Sequence, residues 1–239
     1  MFLLTVLVRP AAADDAHIAV AANFADAARD IGRLFSDQTR HRAVFSFAST
    51  GTLYTQISQG APFDAFLAAD HERPQKAVHE GLAVSGSEFT YAIGKIALYS
   101  RNPDLVSGPE ILTLRQFDRI ALANPVTAPY GAAAVQAMRK MEVLDALSPN
   151  FVYGNNIAQT FQFVETGNAE LGFVAQSQLV NRTGGSMWEV PQDLYQPIRQ
   201  DAVLLKHGSG NPAAEAFLHL LKSAAVRTVL AKYGYGSSE

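Results

Sequence analysis

Residues 47–70, FASTGTLYTQISQGAPFDAFLAAD, indicate the fold class most clearly, because their hydrophobic pattern changes twice. An apolar run ends at Ser49, and a helical pattern follows in which Leu53 and Ile57 lie four residues apart. The apolar segment 64–70 then has the length and composition of a buried strand. The stretch therefore predicts a strand–helix–strand unit of the kind that builds parallel sheets.

The same alternation continues along the chain and predicts an α/β fold with largely parallel sheets. Two long extended segments, 89–100 and 195–206, bracket a central block that has its own strands and helices. We interpret them as two crossings between two lobes, with the second lobe inserted into the first. The predicted bounds are 14–92 plus 203–239 for lobe 1 and 93–202 for the inserted lobe 2.

The first residues, 1–13, are predicted to be a secretory signal peptide. The apolar run Phe2–Val8 is followed by Pro10 and by small residues that fit a cleavage site after Ala13. No basic residue precedes the apolar run, and the alternative is a frayed cytosolic N-terminus. A signal peptide would place the mature chain outside the cytoplasm.

Composition excludes several classes of partner and chemistry. The formal net charge is −3, and no long Lys/Arg cluster is present, so neither nucleic acid nor an anionic membrane surface is a predicted partner. The absence of cysteine excludes disulfides, thiolate metal sites and a cysteine nucleophile. A hydrophobic content of 48% with 17% charged residues is that of an ordinary folded protein.

Four predicted strand ends run directly into helix starts, where ligands bind in open α/β sheets. Singly, each start is most simply an N-cap, since Ser, Thr and Asn are preferred there. Two junctions belong to each lobe, however, and each helix start carries about half a positive charge, so their convergence predicts an anion site. The four junctions, none with a charged residue, are Ala21-Ala22-Asn23, Ser49-Thr50-Gly51, Pro129-Tyr130-Gly131 and Asn155-Asn156-Ile157.

The lack of lysine at these junctions indicates what kind of anion would be selected. Neutral, rigid donors discriminate by size and protonation state, and they favour a small, fully deprotonated oxyanion. A protonated anion such as hydrogen phosphate would leave its own O–H donor poorly paired, at a cost of about 1–3 kcal/mol. Sulfate, phosphate and organic anions remain alternative ligands on the residues alone.

Several blocks in this order and spacing resemble the periplasmic molybdate-binding proteins of ABC importers. The resemblance covers nearly the whole mature chain, and the block 47–70 is its most specific part. It implies a type II periplasmic binding protein: two α/β lobes, a hinge of two crossing strands and a ligand cleft between them. It also implies a periplasmic monomer that binds molybdate or tungstate for an ABC permease, with no cofactor and no direct protein ligand to the metal.

The resemblance also implies roles for individual residues in binding the oxyanion. Asn23 would donate from its side chain and backbone, and Thr50, with Ser49 beside it, would supply the hydroxyl of the second loop. In the inserted lobe, the backbone N–H groups of Tyr130 and Ile157 would donate. The ring of Tyr130 itself is predicted only to pack in the first turn of its helix.

Two positions depart from the family pattern. Ala22 stands where one subgroup has threonine, so only its backbone N–H could contribute. Ala175 stands where some members place a tyrosine hydroxyl on the anion. These departures affect the number of donors and the preference between molybdate and tungstate, and they leave the anion class unchanged.

The alternative of a different class is a hydrolytic enzyme on the same scaffold. The six histidines form no HxxxH or HExxH pair, and none lies at a junction. Asp64 and Asp70 flank the third predicted strand and could act as an acid/base pair. We expect them instead to cap or hydrogen-bond near the edge of the cleft, because a carboxylate beside a dianion would repel it. The sequence therefore predicts a binding protein.

Overall fold

A computed structural model describes residues 13–236. The predicted signal peptide, apart from Ala13, lies outside the described residues. None of the helices within these residues has the length and apolar composition of a membrane span.

The described chain has ten strands and nine helices, and strands alternate with helices over most of it, as the sequence pattern predicts. The strands are β1 (Asp15–Ala21), β2 (Arg42–Ala48), β3 (Ala65–Leu67), β4 (Phe89–Gly94), β5 (Ile96–Ser100), β6 (Ile120–Ala123), β7 (Phe151–Gly154), β8 (Leu171–Ala175), β9 (Ser186–Glu189) and β10 (Ile198–Leu204). The helices are α1 (Ala25–Thr39), α2 (Thr50–Ser58), α3 (Glu72–His79), α4 (Glu110–Leu114), α5 (Pro129–Lys140), α6 (Leu144–Leu147), α7 (Ile157–Glu165), α8 (Pro212–Leu221) and α9 (Ala224–Lys232). Of these elements, β7, β9 and α4 were not predicted.

The strands form two five-stranded sheets with the same plan. The first sheet has the order β2-β1-β3-β10-β4, and the second has the order β7-β6-β8-β5-β9. In each sheet three parallel strands lie side by side, and the fourth strand runs antiparallel to both its neighbours, so the sheets are mixed rather than largely parallel as predicted. We call the body around each sheet the first and the second lobe.

The antiparallel strand of each sheet is the one that arrives from the other lobe. The chain leaves the first lobe between β4 and β5, at Lys95, and returns through residues 195–197 into β10. The two crossings lie side by side, because Ile198 pairs with Gly94. Residues 198–202, included in the predicted inserted lobe, hydrogen-bond within the first sheet; the exact lobe bounds stay a prediction.

Parallel strands place their carboxyl ends at one edge of the sheet, and in both lobes that edge faces the other lobe. The apolar core of the second lobe continues across this boundary, since it includes Ala22 and Ala69 of the first lobe. The two lobes therefore pack against each other, and the structure is that of a closed cleft.

Candidate functional site

A small cavity lies between the lobes, where the carboxyl ends of the strands meet. All four predicted junctions contribute to it, together with two alanines that the sequence analysis did not single out. Its lining residues are Ala21, Ala22, Asn23, Ser49, Thr50, Ala69, Ala128, Pro129, Tyr130, Asn156 and Ile157. The structure thus brings together every residue that was predicted to bind the oxyanion.

The cavity suits a small ligand without a counter-charge from a side chain. Its volume is only about 10 Å³, whereas pockets for drug-sized ligands usually measure roughly 300–1,000 Å³. Among the residues that the structure describes as lining it, none is Lys, Arg, His, Asp or Glu. Any charge on a ligand here would be met by N–H groups and hydroxyls.

The start of helix α2 brings two hydroxyl groups to the cavity, those of Ser49 and Thr50. Ser49 caps this helix, with its Oγ accepting from the N–H of Thr52 at 3.4 Å. Thr50 is buried, and its Oγ1 accepts from the N–H of Ala69 at 3.0 Å. Because that bond uses the hydroxyl oxygen as an acceptor, the Thr50 proton remains available for a ligand.

The second lobe contributes the starts of α5 and α7. Tyr130 is the second residue of α5, and Ile157 is the first residue of α7, so neither backbone N–H has an acceptor within its helix. Asn156 caps α7 by accepting from the N–H of Gln159 at 3.0 Å. The start of α5 has no such side-chain cap, since its N-cap residue is Ala128. Both helix starts therefore offer N–H donors to the cavity.

Asn23 was predicted to cap the first helix, and this prediction is wrong. Residues Ala22–Phe24 form a 3₁₀ turn, and α1 begins after Phe24 without a side-chain cap. The Asn23 amide instead lies within 2.9 Å of Gln200 Oε1 and 3.2 Å of the Tyr130 hydroxyl. Its NH₂ group is engaged behind the cavity, which leaves the backbone N–H as the donor that Asn23 can offer to a ligand.

Tyr130 also has a side-chain role that the sequence did not predict. Its hydroxyl lies 3.2 Å from the amide nitrogens of Asn23 and Gln200, where it accepts hydrogen bonds across the lobe boundary. Burial raises the pKa of this phenol well above its ordinary value, so the group stays neutral. No local signal could have shown these bonds, because the partners lie far apart in the chain.

Direct contacts also join the lobes at the mouth of the cleft. The N–H of Gly51 donates to the carbonyl of Thr127 at 2.8 Å. Arg73 donates to the carbonyl of Val126 at 3.1 Å and forms an ion pair with Asp70. The bonds to Thr127 and Val126 exist only when the lobes are together, so the mouth is held by bonds between the lobes as well as by any ligand.

The two aspartates that were weighed as an acid/base pair lie at opposite ends of β3. Asp64 precedes the strand, does not line the cavity, and accepts from the N–H of His17 at 2.7 Å and from Asn211 Nδ2 at 3.1 Å. Its predicted place at the cleft edge is therefore wrong. Asp70 does lie at that edge and accepts from the N–H of Arg73 at 3.0 Å, as expected. Burial raises the pKa of the Asp70 carboxyl above its ordinary value, and Arg73 partly offsets this effect.

Two lobes that close over an uncharged, donor-lined cavity define a solute-binding protein of the type II periplasmic fold. The chain belongs to the family described as bacterial extracellular solute-binding proteins, which it matches over residues 16–236. The membership indicated by the sequence resemblance is thereby confirmed, and so is the fold class. Members of this family bind solutes, and the chain is a binding protein rather than an enzyme.

Two relatives of about 50% identity are named molybdate-binding proteins. The molybdate-binding protein ModA of Rhodobacter capsulatus is 49% identical over 233 residues, which cover 98% of this chain and 92% of that protein. ModA of Azotobacter vinelandii is 50% identical over 230 residues, which cover 95% of this chain and 91% of that protein.

Solved structures agree with this placement. The periplasmic molybdate-binding protein of Azotobacter vinelandii superposes with a TM-score of 0.91 at 35% identity, over 94% of this chain and 100% of that chain. The sulfate-binding protein SubI of Mycobacterium tuberculosis H37Rv superposes with a TM-score of 0.77 at 11% identity, over 93% of this chain and 86% of that chain. The second likeness shows the shared fold alone.

Proposed function

We propose that the protein binds molybdate in the cavity between its lobes and delivers it, in the closed form, to the permease of an ABC importer. The observation that carries this proposal is the meeting of four helix or turn starts at one small cavity whose lining has no charged side chain. Two relatives that are 49% and 50% identical to this chain are named molybdate-binding proteins, and they support molybdate as the oxyanion.

In the proposed complex, donors from both lobes surround the tetrahedral dianion. The first lobe supplies the hydroxyls of Ser49 and Thr50 and the backbone N–H groups of Ala22 and Asn23. The second lobe supplies the backbone N–H groups at the starts of α5 and α7, from Tyr130 and Ile157. Partial positive charge at the helix starts replaces a formal cation. The protein contacts oxygen atoms only, so molybdenum itself has no protein ligand.

Selectivity follows from the same donors. Tungstate has the same charge and tetrahedral shape as molybdate, so we expect both to bind. Hydrogen phosphate carries an O–H donor, and no carboxylate lines the cavity to accept from it. Leaving that donor unpaired costs about 1–3 kcal/mol, or roughly tenfold to a hundredfold in affinity. Sulfate carries no proton, so the cavity must distinguish it from molybdate by its smaller size.

Calorimetric titration of residues 14–239 with molybdate, tungstate, sulfate and phosphate tests the proposal. We expect one saturable site for molybdate and for tungstate, with much weaker binding of the other two anions. At 1,000 times the dissociation constant, the ligand should raise the free energy of unfolding by about 4 kcal/mol. A preference for sulfate or phosphate would contradict the proposed ligand.

A pair of variants at Thr50 tests the site itself. Thr50→Ala removes the hydroxyl, whereas Thr50→Ser retains it and changes only the methyl group. We expect the first to weaken molybdate binding by about 1–3 kcal/mol and the second to bind almost as the wild type does. Equal affinities for the alanine variant and the wild type would exclude Thr50 as a donor.

The setting of this function is also proposed. We place the mature protein in the periplasm as a monomer that needs no cofactor, in keeping with periplasmic relatives of this fold. Size-exclusion chromatography with light scattering would test the monomer. Cell fractionation together with the N-terminal sequence of the exported chain would test the location and the cleavage after Ala13.

A further inference from the structure

A cluster of buried polar side chains lies behind the cavity, where the lobes meet the two crossings. Its members are at most 8% exposed, and we call them the hinge network: Asn23, Tyr91, Tyr130, Ser177, Gln200 and Tyr235. They come from both lobes, from both crossing strands and from the last described residues of the chain. Gln200 and the three residues Tyr91, Ser177 and Tyr235 do not line the cavity.

The centre of the network is the amide of Gln200, on the returning strand β10. Its Oε1 accepts from Asn23 Nδ2 at 2.9 Å and from the Tyr91 hydroxyl at 3.1 Å. Its Nε2 donates to the Tyr130 hydroxyl at 3.2 Å. Tyr130 belongs to the second lobe and the other three residues to the first sheet or its edge, so only the bonds to Tyr130 cross the boundary at this point.

A second set of bonds holds the Asn23 carbonyl, and the bond from Ser177 crosses from the second lobe. The hydroxyls of Ser177 and Tyr235 donate to the Asn23 carbonyl at 3.1 and 2.9 Å. Asn23 thus has its backbone N–H toward the cavity and its amide and carbonyl in the hinge network. A residue that is proposed to bind the anion is at the same time held by contacts that form on closure.

We infer that the hydroxyl of Tyr130 sets oxyanion affinity from behind the site, by holding the lobes closed through Asn23 and Gln200. The inference rests on the proposed function. Opening the lobes separates the phenol from both amides and exposes these groups to water, which satisfies them. In the closed form the loss of the hydroxyl removes the acceptor of the buried Gln200 Nε2 donor, whereas in the open form water accepts from it, so the loss penalises the closed form selectively.

Two tyrosine-to-phenylalanine variants separate this role from a general loss of stability. Tyr130→Phe removes the hydroxyl that crosses the lobe boundary and keeps the backbone N–H that faces the cavity. Tyr99→Phe removes a similarly buried hydroxyl outside the hinge network, whose bond to the Glu165 carboxylate at 2.9 Å lies within the second lobe. The two variants are therefore matched in chemistry and burial, and they differ in whether the lost bond spans the cleft.

The test is molybdate binding to wild type and both variants, by calorimetry and by stopped-flow kinetics. We expect Tyr130→Phe to bind about tenfold more weakly, the scale of one buried hydrogen bond, through faster dissociation with little change in the association rate. We expect Tyr99→Phe to melt at a lower temperature and to bind within twofold of wild type.

The outcomes distinguish the inference from the proposed function. Wild-type affinity in Tyr130→Phe, or equal weakening in both variants, would overturn the inference while the proposed function stands. A wild-type protein that binds none of the four oxyanions would overturn the proposed function and the inference with it. Slower association in Tyr130→Phe with unchanged dissociation would also contradict a role in holding the closed form.

Discussion

At Gly51 the backbone of the first lobe lies directly against the backbone of the second. A Cβ atom at this position would lie 3.0 Å from Thr127 Cα and 3.1 Å from its carbonyl oxygen. Both are backbone atoms, so they cannot give way without moving the loop or the whole lobe. Glycine is a poor helix residue, and its presence in the first turn of α2 is explained by this close approach.

The variant Gly51→Ala should therefore separate stability from affinity. Alanine favours the helix by roughly 0.4–1 kcal/mol through the unfolded chain, so the ligand-free protein should be no less stable. Oxyanion binding should weaken by about 1–3 kcal/mol, because the added methyl overpacks a contact of the closed form. Melting curves without ligand and calorimetric titration measure the two effects.

Gly108→Ala serves as the control for Gly51→Ala. Gly108 lies in the second lobe, where an added Cβ would meet only the end of the flexible Glu110 side chain. It should leave oxyanion affinity unchanged. Equal affinities for Gly51→Ala and wild type would show that the lobes tolerate the methyl group and that the contact with Thr127 is not needed for binding.

Asp70 gives a pH dependence whose sign follows from its raised pKa. Burial disfavours the charged carboxylate, so the folded protein holds this proton more tightly than the unfolded chain, whose value is near 3.8. The contribution of the protonated Asp70 carboxyl to the free energy of unfolding is fully present below pH 3.8, and it is lost as the pH rises through the raised pKa. As the pH rises through this range, the free energy of unfolding should consequently fall less in Asp70→Asn than in wild type.

Urea unfolding at a series of pH values from 3 to 7 measures this difference. The exposed Asp37 on α1 provides the control, since Asp37→Asn removes the same charge from solvent. The Asp37 variant should follow the wild-type pH profile. A wild-type profile in Asp70→Asn would contradict the assignment of a raised pKa to this carboxyl.

At the scale of elements, the starts of α2, α5 and α7 converge on the cavity with uncharged residues. Asn156 shows what a charge would do there. Asp caps helices as well as Asn does, so Asn156→Asp should keep α7 intact. Two unit charges about 4 Å apart repel by about 4 kcal/mol at an effective dielectric constant of 20, so dianion binding should fall by at least a hundredfold.

Ser223→Asp is the matched control for the charge added by Asn156→Asp. Ser223 caps α9 by accepting from the N–H of Val226 at 3.3 Å, and it lies outside the cavity. Calorimetric titration should show wild-type affinity in this variant and a large loss in Asn156→Asp, with similar melting temperatures for both. Retained affinity in Asn156→Asp would mean that the start of α7 does not face the anion.

The sequence predicted the elements well, because strand ends and helix starts are marked by residues close together in the chain. Ser49 and Asn156 cap the helices that follow them, as their positions suggested. Asn23 did not, since its amide bonds to residues more than 100 positions away. Local pattern contains no signal for such pairs, so the hinge network could not be predicted from the sequence.

At the scale of the whole molecule, closure is favoured by contacts that need no ligand. The mouth is joined through Gly51 and Arg73, the rear through Tyr130 and Ser177, and the apolar core of the second lobe extends to Ala69. A ligand shifts an opening equilibrium only by its differential affinity for the two forms. The observed association constant is therefore the intrinsic association constant of the closed form multiplied by the fraction of molecules that occupy this form.

Gly94 tests this coupling at the hinge, because it ends β4 just before the first crossing. A Cβ atom there would overlap the Tyr130 hydroxyl and lie 2.8 Å from Gln200 Nε2. Gly94→Ala should consequently weaken oxyanion binding by about 1–3 kcal/mol, since the closed form must displace the hinge network. Small-angle X-ray scattering at a fixed, subsaturating molybdate concentration should show a larger radius of gyration than in wild type.

A double-mutant cycle identifies the hydroxyl as the group that Gly94→Ala displaces. Combining Gly94→Ala with Tyr130→Phe removes the oxygen that the new methyl group would overlap, so the two losses of affinity should not add. Because the Gln200 amide also lies near the added Cβ, part of the effect of Gly94→Ala should persist in the double variant. Additive losses would mean that Gly94 and the Tyr130 hydroxyl influence closure independently, and the close packing at the crossing would then have no part in setting affinity.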